Sequence, residues 1–188
     1  MKIYKIFVLF LIISSFFLSA HSSQQILLEK LFDKLEKVDN FKKAELLEKK
    51  IWSIWHKHHS DIGLTEKLKF GTELMEYGSY DYALKVFDNV IAADSKWCEA
   101  WNKRATVYFL MKKYKKSLDD IDKVLEIESR HFGALSGQAR IFIKLREYEK
   151  AILSLEKALK FYPLFRSGNL IPEIEKLIKK ESIQLNLF

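Results

Sequence analysis

Residues 98–165 consist of two consecutive 34-residue segments, CEAWNKRATVYFLMKKYKKSLDDIDKVLEIESRH and FGALSGQARIFIKLREYEKAILSLEKALKFYPLF. Small, aromatic and aliphatic residues recur at the same positions, or slots, of both segments, and the register extends back over residues 64–97. The recurring sets include Gly71, Ala105 and Ala139; Tyr80, Tyr114 and Tyr148; Ala83, Ser117 and Ala151; and Phe87, Ile121 and Leu155. A period of this length is typical of stacked helical hairpins. The spacing therefore predicts an array of helix pairs.

The repeated slots resemble the tetratricopeptide repeat. In that repeat the first helix carries Trp, Leu, Gly and Tyr at fixed spacings, the second helix carries Ala and Phe, and a Pro closes the copy. The matching residues include Gly71, Phe87, Trp101, Ala105, Tyr108, Ala139, Ala151 and Pro163. The chain departs from the pattern at Lys67, Arg104 and Gln138, which stand where large apolar residues are usual. The resemblance implies an all-α fold, a right-handed α-solenoid of antiparallel helix pairs. Arg104 is expected to pair with Asp120 across its hairpin.

The repeat register divides the chain into segments. They are a signal peptide over 1–20, an N-terminal helical hairpin over 24–59, three repeats over 64–165 (64–97, 98–131 and 132–165) and a C-terminal capping helix over 170–183. We interpret the hairpin as a cap or a degenerate repeat, because an end copy has one face in solvent. Within the repeats the apolar pattern predicts helices over 64–77, 81–93, 98–111, 115–127, 132–145 and 149–161.

Residues 1–20 have the parts of a secretory signal peptide. Lys2 and Lys5 give a positive start, an apolar run follows over 6–18, and small residues allow cleavage after Ala20 or Ser22. The run is shorter than the about 20 apolar residues that a membrane span needs. We expect an exported protein located in the periplasm, or anchored to the inner membrane if the signal is not cleaved. Together, these segments resemble small exported bacterial tetratricopeptide proteins.

The composition gives little support for a nucleic-acid partner. The net charge of the 188 residues is +7, and it falls by two when Lys2 and Lys5 are removed with the signal. Acidic and basic residues are interleaved, as on solvated helix faces. Cys98 is the only cysteine of the sequence, so no disulfide can form within the chain, and we interpret it as a small apolar filler.

The sequence contains none of the common enzyme motifs that we considered: a Gly-rich phosphate loop, G-x-S-x-G or H-E-x-x-H. His56 and His59 are three residues apart, so a shared helix face could hold a metal, with Asp61 as the nearest further ligand. The alternative is a helix C-terminus, where the helix dipole favours histidine. We expect no catalytic residues, no metal and no cofactor.

The resemblance places a binding groove on the concave face of the array, lined by the first helix of each repeat. The predicted protein-binding residues are Leu68, Thr72, Met75, Asn102, Lys103, Thr106, Phe109, Ser136, Arg140 and Ile143. Glu99 and Gly133 are expected on the same face. For Phe109 and Ile143 the alternative is packing against the next hairpin. Such a mixed groove suits an extended or helical peptide better than a metabolite.

Chaperone-binding members of the family clamp a C-terminal carboxylate with Lys and Asn side chains. The corresponding positions here carry Leu68, Thr72, Lys103, Gly133 and Gly137, of which only Lys103 is suitable. We therefore reject that function. The prediction is a non-enzymatic interaction module or scaffold in the cell envelope that binds a peptide segment of a protein partner, with membrane contact only through an uncleaved N-terminal anchor.

Two alternatives remain from other classes. One is a metal-binding or enzymatic envelope protein that uses the His56–His59 cluster. The other is an RNA-binding helical repeat, which the export signal and the 34-residue period argue against, because pentatricopeptide arrays have a period one residue longer.

Overall fold

A computed structural model describes residues 23–185, so the predicted signal peptide lies outside the described residues. Over this range the regular secondary structure is helical. The elements are α1 over 23–36, α2 (Phe41–Trp55), α3 (Ile62–Glu76), α4 (Tyr80–Ala93), α5 (Cys98–Leu110), α6 (Tyr114–Ile127), α7 (Phe132–Lys144), α8 (Tyr148–Phe161), a 3₁₀ turn (Arg166–Leu170) and α9 (Ile171–Leu185). Each helix predicted within the repeats begins and ends within two residues of an observed helix.

Helices α3 to α8 form three antiparallel pairs that stack in series, as an α-solenoid requires. Helices of one pair approach closely because the slots between them hold small residues. Ala83, Ala139 and Ala151 are fully buried there, and a Cβ on Gly71 would lie 2.6 Å from the ring of Phe87. The predicted all-α solenoid is confirmed.

The turn inside each pair has a residue in the left-handed conformation at the same slot of the repeat. Gly78, Lys112 and Arg146 have φ values of 76°, 57° and 61°. Glycine adopts this conformation without strain, whereas a left-handed L-residue costs about 1–2 kcal/mol. The second and third turns therefore keep their geometry because the packed helices around them impose it.

Arg104 links two neighbouring pairs through carboxylates on both sides. Its guanidinium donates two hydrogen bonds to Asp120, of 2.8 and 2.7 Å, and one of 2.6 Å to Asp88 on α4. The predicted pairing with Asp120 is confirmed. Burial raises the pKa of Asp120 more than the bonds from Arg104 lower it, and the same bonds raise the pKa of Arg104. Arg104, which stands where leucine is usual, thus forms a polar connection between two repeats.

Helix α9 covers the open side of the third pair. Ile174 is buried in one cluster with Ala139 and Leu155, and Glu181 accepts hydrogen bonds from Arg146 and Tyr148. This is the position where the sequence predicted a capping helix. Among residues 23–185, the structure contains no helix that is both long enough and apolar enough to span a bilayer.

The N-terminal hairpin, α1 and α2, lies along one edge of the array and touches all three turns that follow the second helices of the repeats. Trp97 Nε1 donates to the carbonyl of Trp55 (2.8 Å), Arg130 pairs with Glu29 (2.8 Å), and Tyr162 donates to Glu48 (2.8 Å). The sequence predicted a cap or a degenerate repeat and did not say which surface the hairpin covers. These contacts place the hairpin lengthwise, because its apolar stripe packs in one core with Phe132 and Tyr162.

One aromatic cluster joins this hairpin to the second and third repeats. Phe32 and Trp55 contact Phe132, with ring centroids 6.4 and 4.9 Å away, and the ring of Trp55 stacks on that of His131 at 4.0 Å. The guanidinium of Arg130 lies 4.3 Å from the centroid of Phe32. The hairpin is therefore part of the main apolar core.

Candidate protein-binding cleft

A cleft of about 480 Å³ lies on the concave face between α5 and α7. Among its lining residues, α5 contributes Asn102, Lys103, Thr106 and Phe109, whereas α7 contributes Ser136, Gly137, Arg140 and Ile141. Trp52 from α2 and Phe165 from the turn after α8 also line it. Among residues 23–185, the formally charged residues that line it are Lys103 and Arg140, both cationic. The cleft thus combines an apolar floor with positive charge.

Six of the ten predicted groove residues meet in this cleft: Asn102, Lys103, Thr106, Phe109, Ser136 and Arg140. The other four lie elsewhere. Leu68 is buried in the core of the first repeat, Thr72 donates its hydroxyl to the carbonyl of Leu68, and Met75 packs on the same core. Ile143 packs beside α9 in the third repeat. The cleft is therefore formed by the second and third repeats.

The N-terminal hairpin fills one side of the concave face. Glu99 and Gly133, both expected in the open groove, are covered by it. Glu99 is fully buried, and a Cβ built on Gly133 would lie 2.4 Å from the ring of Trp52. This packing makes Trp52 one wall of the cleft.

Glu99 is the centre of a buried polar network beneath the cleft. Its Oε2 atom accepts a hydrogen bond from Asn102 (3.1 Å) and lies 3.1 Å from His131 Nε2. The backbone N–H of Ala134 donates to His131 Nδ1, so Nε2 carries the proton that is donated to Glu99. His56 Nε2 and Lys103 Nζ lie 3.1 and 3.5 Å from the other oxygen, Oε1. The network ties α2, α5 and α7 together.

Two opposing effects act on the pKa of Glu99. Burial raises it, but the bond from His131 and the nearby His56 and Lys103 outweigh burial and hold the pKa far below its ordinary value of 4.5. Because the folded-state pKa is lowered, ionised Glu99 stabilises the fold above pH 4.5, and this stabilisation is lost as the pH falls below that value.

Replacing Glu99 by glutamine is expected to reduce the free energy of unfolding at pH 7 by about 1–3 kcal/mol, because buried donors lose their charged acceptor. The difference between wild type and Glu99→Gln should shrink as the pH is lowered below 4.5. Urea unfolding at a series of pH values measures it. A difference that stays constant down to low pH would show that the carboxylate charge is unimportant.

The histidines at the end of α2 do not share one site. Because α2 ends at Trp55, His56 and His59 do not lie on one helix face: His56 faces Glu99, whereas the ring of His59 lies beside that of His58 at 4.4 Å. Among residues 23–185, three potential metal ligands lie close together: His58, His59 and Asp94, whose ligand atoms are within 4.8 Å of one another.

His58 is already committed to hydrogen bonds. The backbone N–H of Asp61 donates to its Nδ1 (2.9 Å), so Nε2 carries the proton and donates to Asp94 (2.9 Å). A metal at Nε2 would have to displace that proton while Nδ1 remained an acceptor, which leaves an unfavourable anionic ring. Asp61 caps α3 by accepting from the backbone of Gly63 and Leu64. We interpret these side chains as the connection between α2 and the first repeat.

Three aromatic residues of the cleft, Trp52, Phe132 and Phe165, were not among the predicted groove residues. Phe132 occupies the first slot of the third repeat, which the family pattern does not assign to the groove. Trp52 and Phe165 lie outside the repeat positions from which the groove was predicted. Trp52 stands four residues before His56 in the sequence. The periodicity of a helix, however, does not reveal which repeat the face of that helix will contact.

Comparisons with known proteins agree with the repeat architecture. The family model "Anaphase-promoting complex, cyclosome, subunit 3" matches residues 76–158. A TPR repeat-containing protein of Rhizobium etli is 34% identical over 102 residues, which cover 54% of this chain and 50% of that protein. The chain thus spans about half the length of this curated relative.

Solved structures show the same fold at low sequence identity. The first TPR of Spaghetti (RPAP3), bound to an HSP90 peptide, is 20% identical with a TM-score of 0.58, over 62% of this chain and 93% of that one. A tetratricopeptide repeat protein from Parabacteroides merdae is 22% identical with a TM-score of 0.58, over 85% of this chain and 61% of that one.

Proposed function

We propose that this chain, a tetratricopeptide repeat protein, is a non-enzymatic interaction module that binds an acidic segment of a partner protein in the cleft between α5 and α7. The observation that carries the proposal is the lining of that cleft. Lys103 and Arg140 are its charged residues, and aromatic and aliphatic side chains form much of the remaining surface. A concave site with apolar walls and a few polar groups is typical of ligand binding.

The two cations of the cleft differ in their surroundings. Lys103 is largely buried and lies 3.5 Å from Glu99, which offsets part of its charge. Arg140 is exposed, and among residues 23–185 it forms no ion pair. Arg140 is therefore the residue that would attract an acidic segment, with Asn102, Thr106 and Ser136 as polar contacts around it.

The solved relative that is bound to an HSP90 peptide supports a peptide as the ligand class, since it has the same fold. It does not support the same peptide. The carboxylate-clamp positions of this chain hold Leu68, Thr72, Gly133 and Gly137 beside Lys103. We propose that the bound segment is internal to its protein, with recognition by side chains and not by a terminal carboxylate.

The test is selection of random short peptides on the immobilised full chain, followed by titration of the selected peptides. Arg140→Glu is expected to weaken binding of acidic peptides about tenfold or more, corresponding to about 1.4 kcal/mol. Lys115→Glu is the matched control, because it makes the same charge change on the exposed side of α6. Equal effects of both changes, or failure to select any peptide, would contradict the proposal.

We further propose that the protein acts in the cell envelope, in the periplasm or anchored to the inner membrane. The support is the charged start, apolar run and small residues of 1–20. N-terminal sequencing of the protein purified from an envelope fraction should find a chain beginning after Ala20 or Ser22 if the signal is cleaved. A chain that fractionates with cytosolic proteins would contradict the location.

A further inference from the structure

We infer that the N-terminal hairpin is part of the binding site and that Trp52 selects bound segments that carry a bulky apolar side chain next to their acidic residues. The inference rests on the proposed function. It concerns a residue outside the repeats, supplied by a helix that lies lengthwise along one side of the concave face.

The ring of Trp52 is held in place by neighbours on several sides. It stacks on His56, with centroids 5.3 Å apart and planes at 19°, and it meets Trp55, His131 and Phe132 edge-on. Its Nε1 donates to Glu48 (3.4 Å). A ring fixed in this way loses little conformational freedom when a ligand contacts it, which favours affinity.

Because Gly133 has no side chain, the ring of Trp52 can pack against the backbone of α7 at the cleft. The equivalent slots of the first two repeats hold Thr65 and Glu99, and the third repeat alone has glycine there. A Cβ at Gly133 would lie 2.4 and 2.8 Å from two atoms of the Trp52 ring, so any larger residue would push the ring away. The bare backbone of α7 and the aromatic side chain of α2 are therefore complementary.

The surroundings of Trp52 determine which ligand fits. Phe132, Phe165 and Ile141 line the same cleft, and Lys103 and Arg140 line it as well. An apolar side chain of the partner can bury its surface against the aromatic wall while a neighbouring carboxylate meets Arg140. Aromatic residues in desolvated pockets are the usual energetic centres of protein interfaces.

The experiment uses the full chain and the acidic peptides selected above. Trp52→Ala is expected to weaken binding at least about tenfold, and Trp52→Phe to retain most of the affinity. Leu46→Ala is the matched control, because Leu46 is in the same helix, is 53% exposed and lies outside the cleft. Replacing the bulky apolar residue of the peptide by alanine should weaken binding to wild type but have little further effect on Trp52→Ala.

A second measurement follows the ring of Trp52 in the wild-type protein itself. In protein labelled with 5-fluorotryptophan, the fluorine resonance of Trp52, assigned through Trp52→Phe, should shift on peptide binding more than that of buried Trp97. An unshifted Trp52 resonance together with unchanged affinity in Trp52→Ala would overturn the inference and leave the proposed function intact.

The remaining outcomes also decide the question. Binding that depends on Arg140 but selects peptides without bulky apolar residues would refute the role of Trp52 alone. Tighter binding by Trp52→Ala would refute it too, since the hairpin would then compete with the ligand. Absence of any peptide binding would refute the proposed function itself.

Discussion

Replacing Arg104 with leucine is expected to reduce the free energy of unfolding by about 3–5 kcal/mol, although leucine is the residue that the repeat pattern favours at this slot. The side chain of Asp120 is only 6% exposed, and Arg104 gives it two hydrogen bonds. Without the guanidinium, a buried carboxylate would be left without its charged partner. Urea unfolding of the two proteins measures the difference.

The double variant Arg104→Leu/Asp120→Leu is the control for this prediction. It removes the stranded carboxylate and is expected to recover most of the lost stability, because a buried ion pair can often be replaced by apolar residues at little cost. Asp88, whose side chain is 54% exposed, stays hydrated in either variant. Unchanged or higher stability of Arg104→Leu alone would show that the fold does not need the pairing.

Truncation of Trp55 to alanine is expected to cost about 3–5 kcal/mol and to loosen the N-terminal hairpin from the array. Trp55 is 3% exposed, it stacks on His131 at 4.0 Å and it contacts Phe132 at 4.9 Å. Its removal leaves a cavity where α2 meets two repeats. Thermal unfolding, together with amide hydrogen exchange of residues 23–57, measures stability and local protection.

Phe41→Ala is the matched control for Trp55→Ala, since it truncates an aromatic residue of the same helix that is 57% exposed. Its effect should stay within about 0.5 kcal/mol. If Trp55→Ala raised exchange in the hairpin no more than Phe41→Ala does, the hairpin would not depend on this contact.

The helices of the repeats could be predicted closely because their signal is local and repeated. Each slot is constrained by the neighbouring helix of its own pair, so Ala83, Ser117 and Ala151 report the same contact three times. The Arg104–Asp120 pairing could be predicted for the same reason, since both residues belong to one hairpin. The second carboxylate, Asp88, comes from the preceding repeat and was not foreseen.

The cleft could be predicted only in part. Asn102, Thr106 and Arg140 follow from the spacing of helices α5 and α7, whereas Leu68 is buried although it has an equivalent slot. The aromatic wall depends on Trp52, which reaches α7 from a helix about 80 residues earlier in the chain. A periodic pattern states that α2 has an apolar face, but not which surface that face will cover.

By itself, the sequence determined the helix pairs and their order of stacking, because both depend on residues close together in the chain whose pattern repeats every 34 positions. Only the tertiary structure decided where the N-terminal hairpin lies and which part of the concave face stays open. The physical reason is that the hairpin is held by long-range aromatic packing and by ion pairs such as that of Arg130 with Glu29, 101 residues apart, which leave no periodic trace in the sequence.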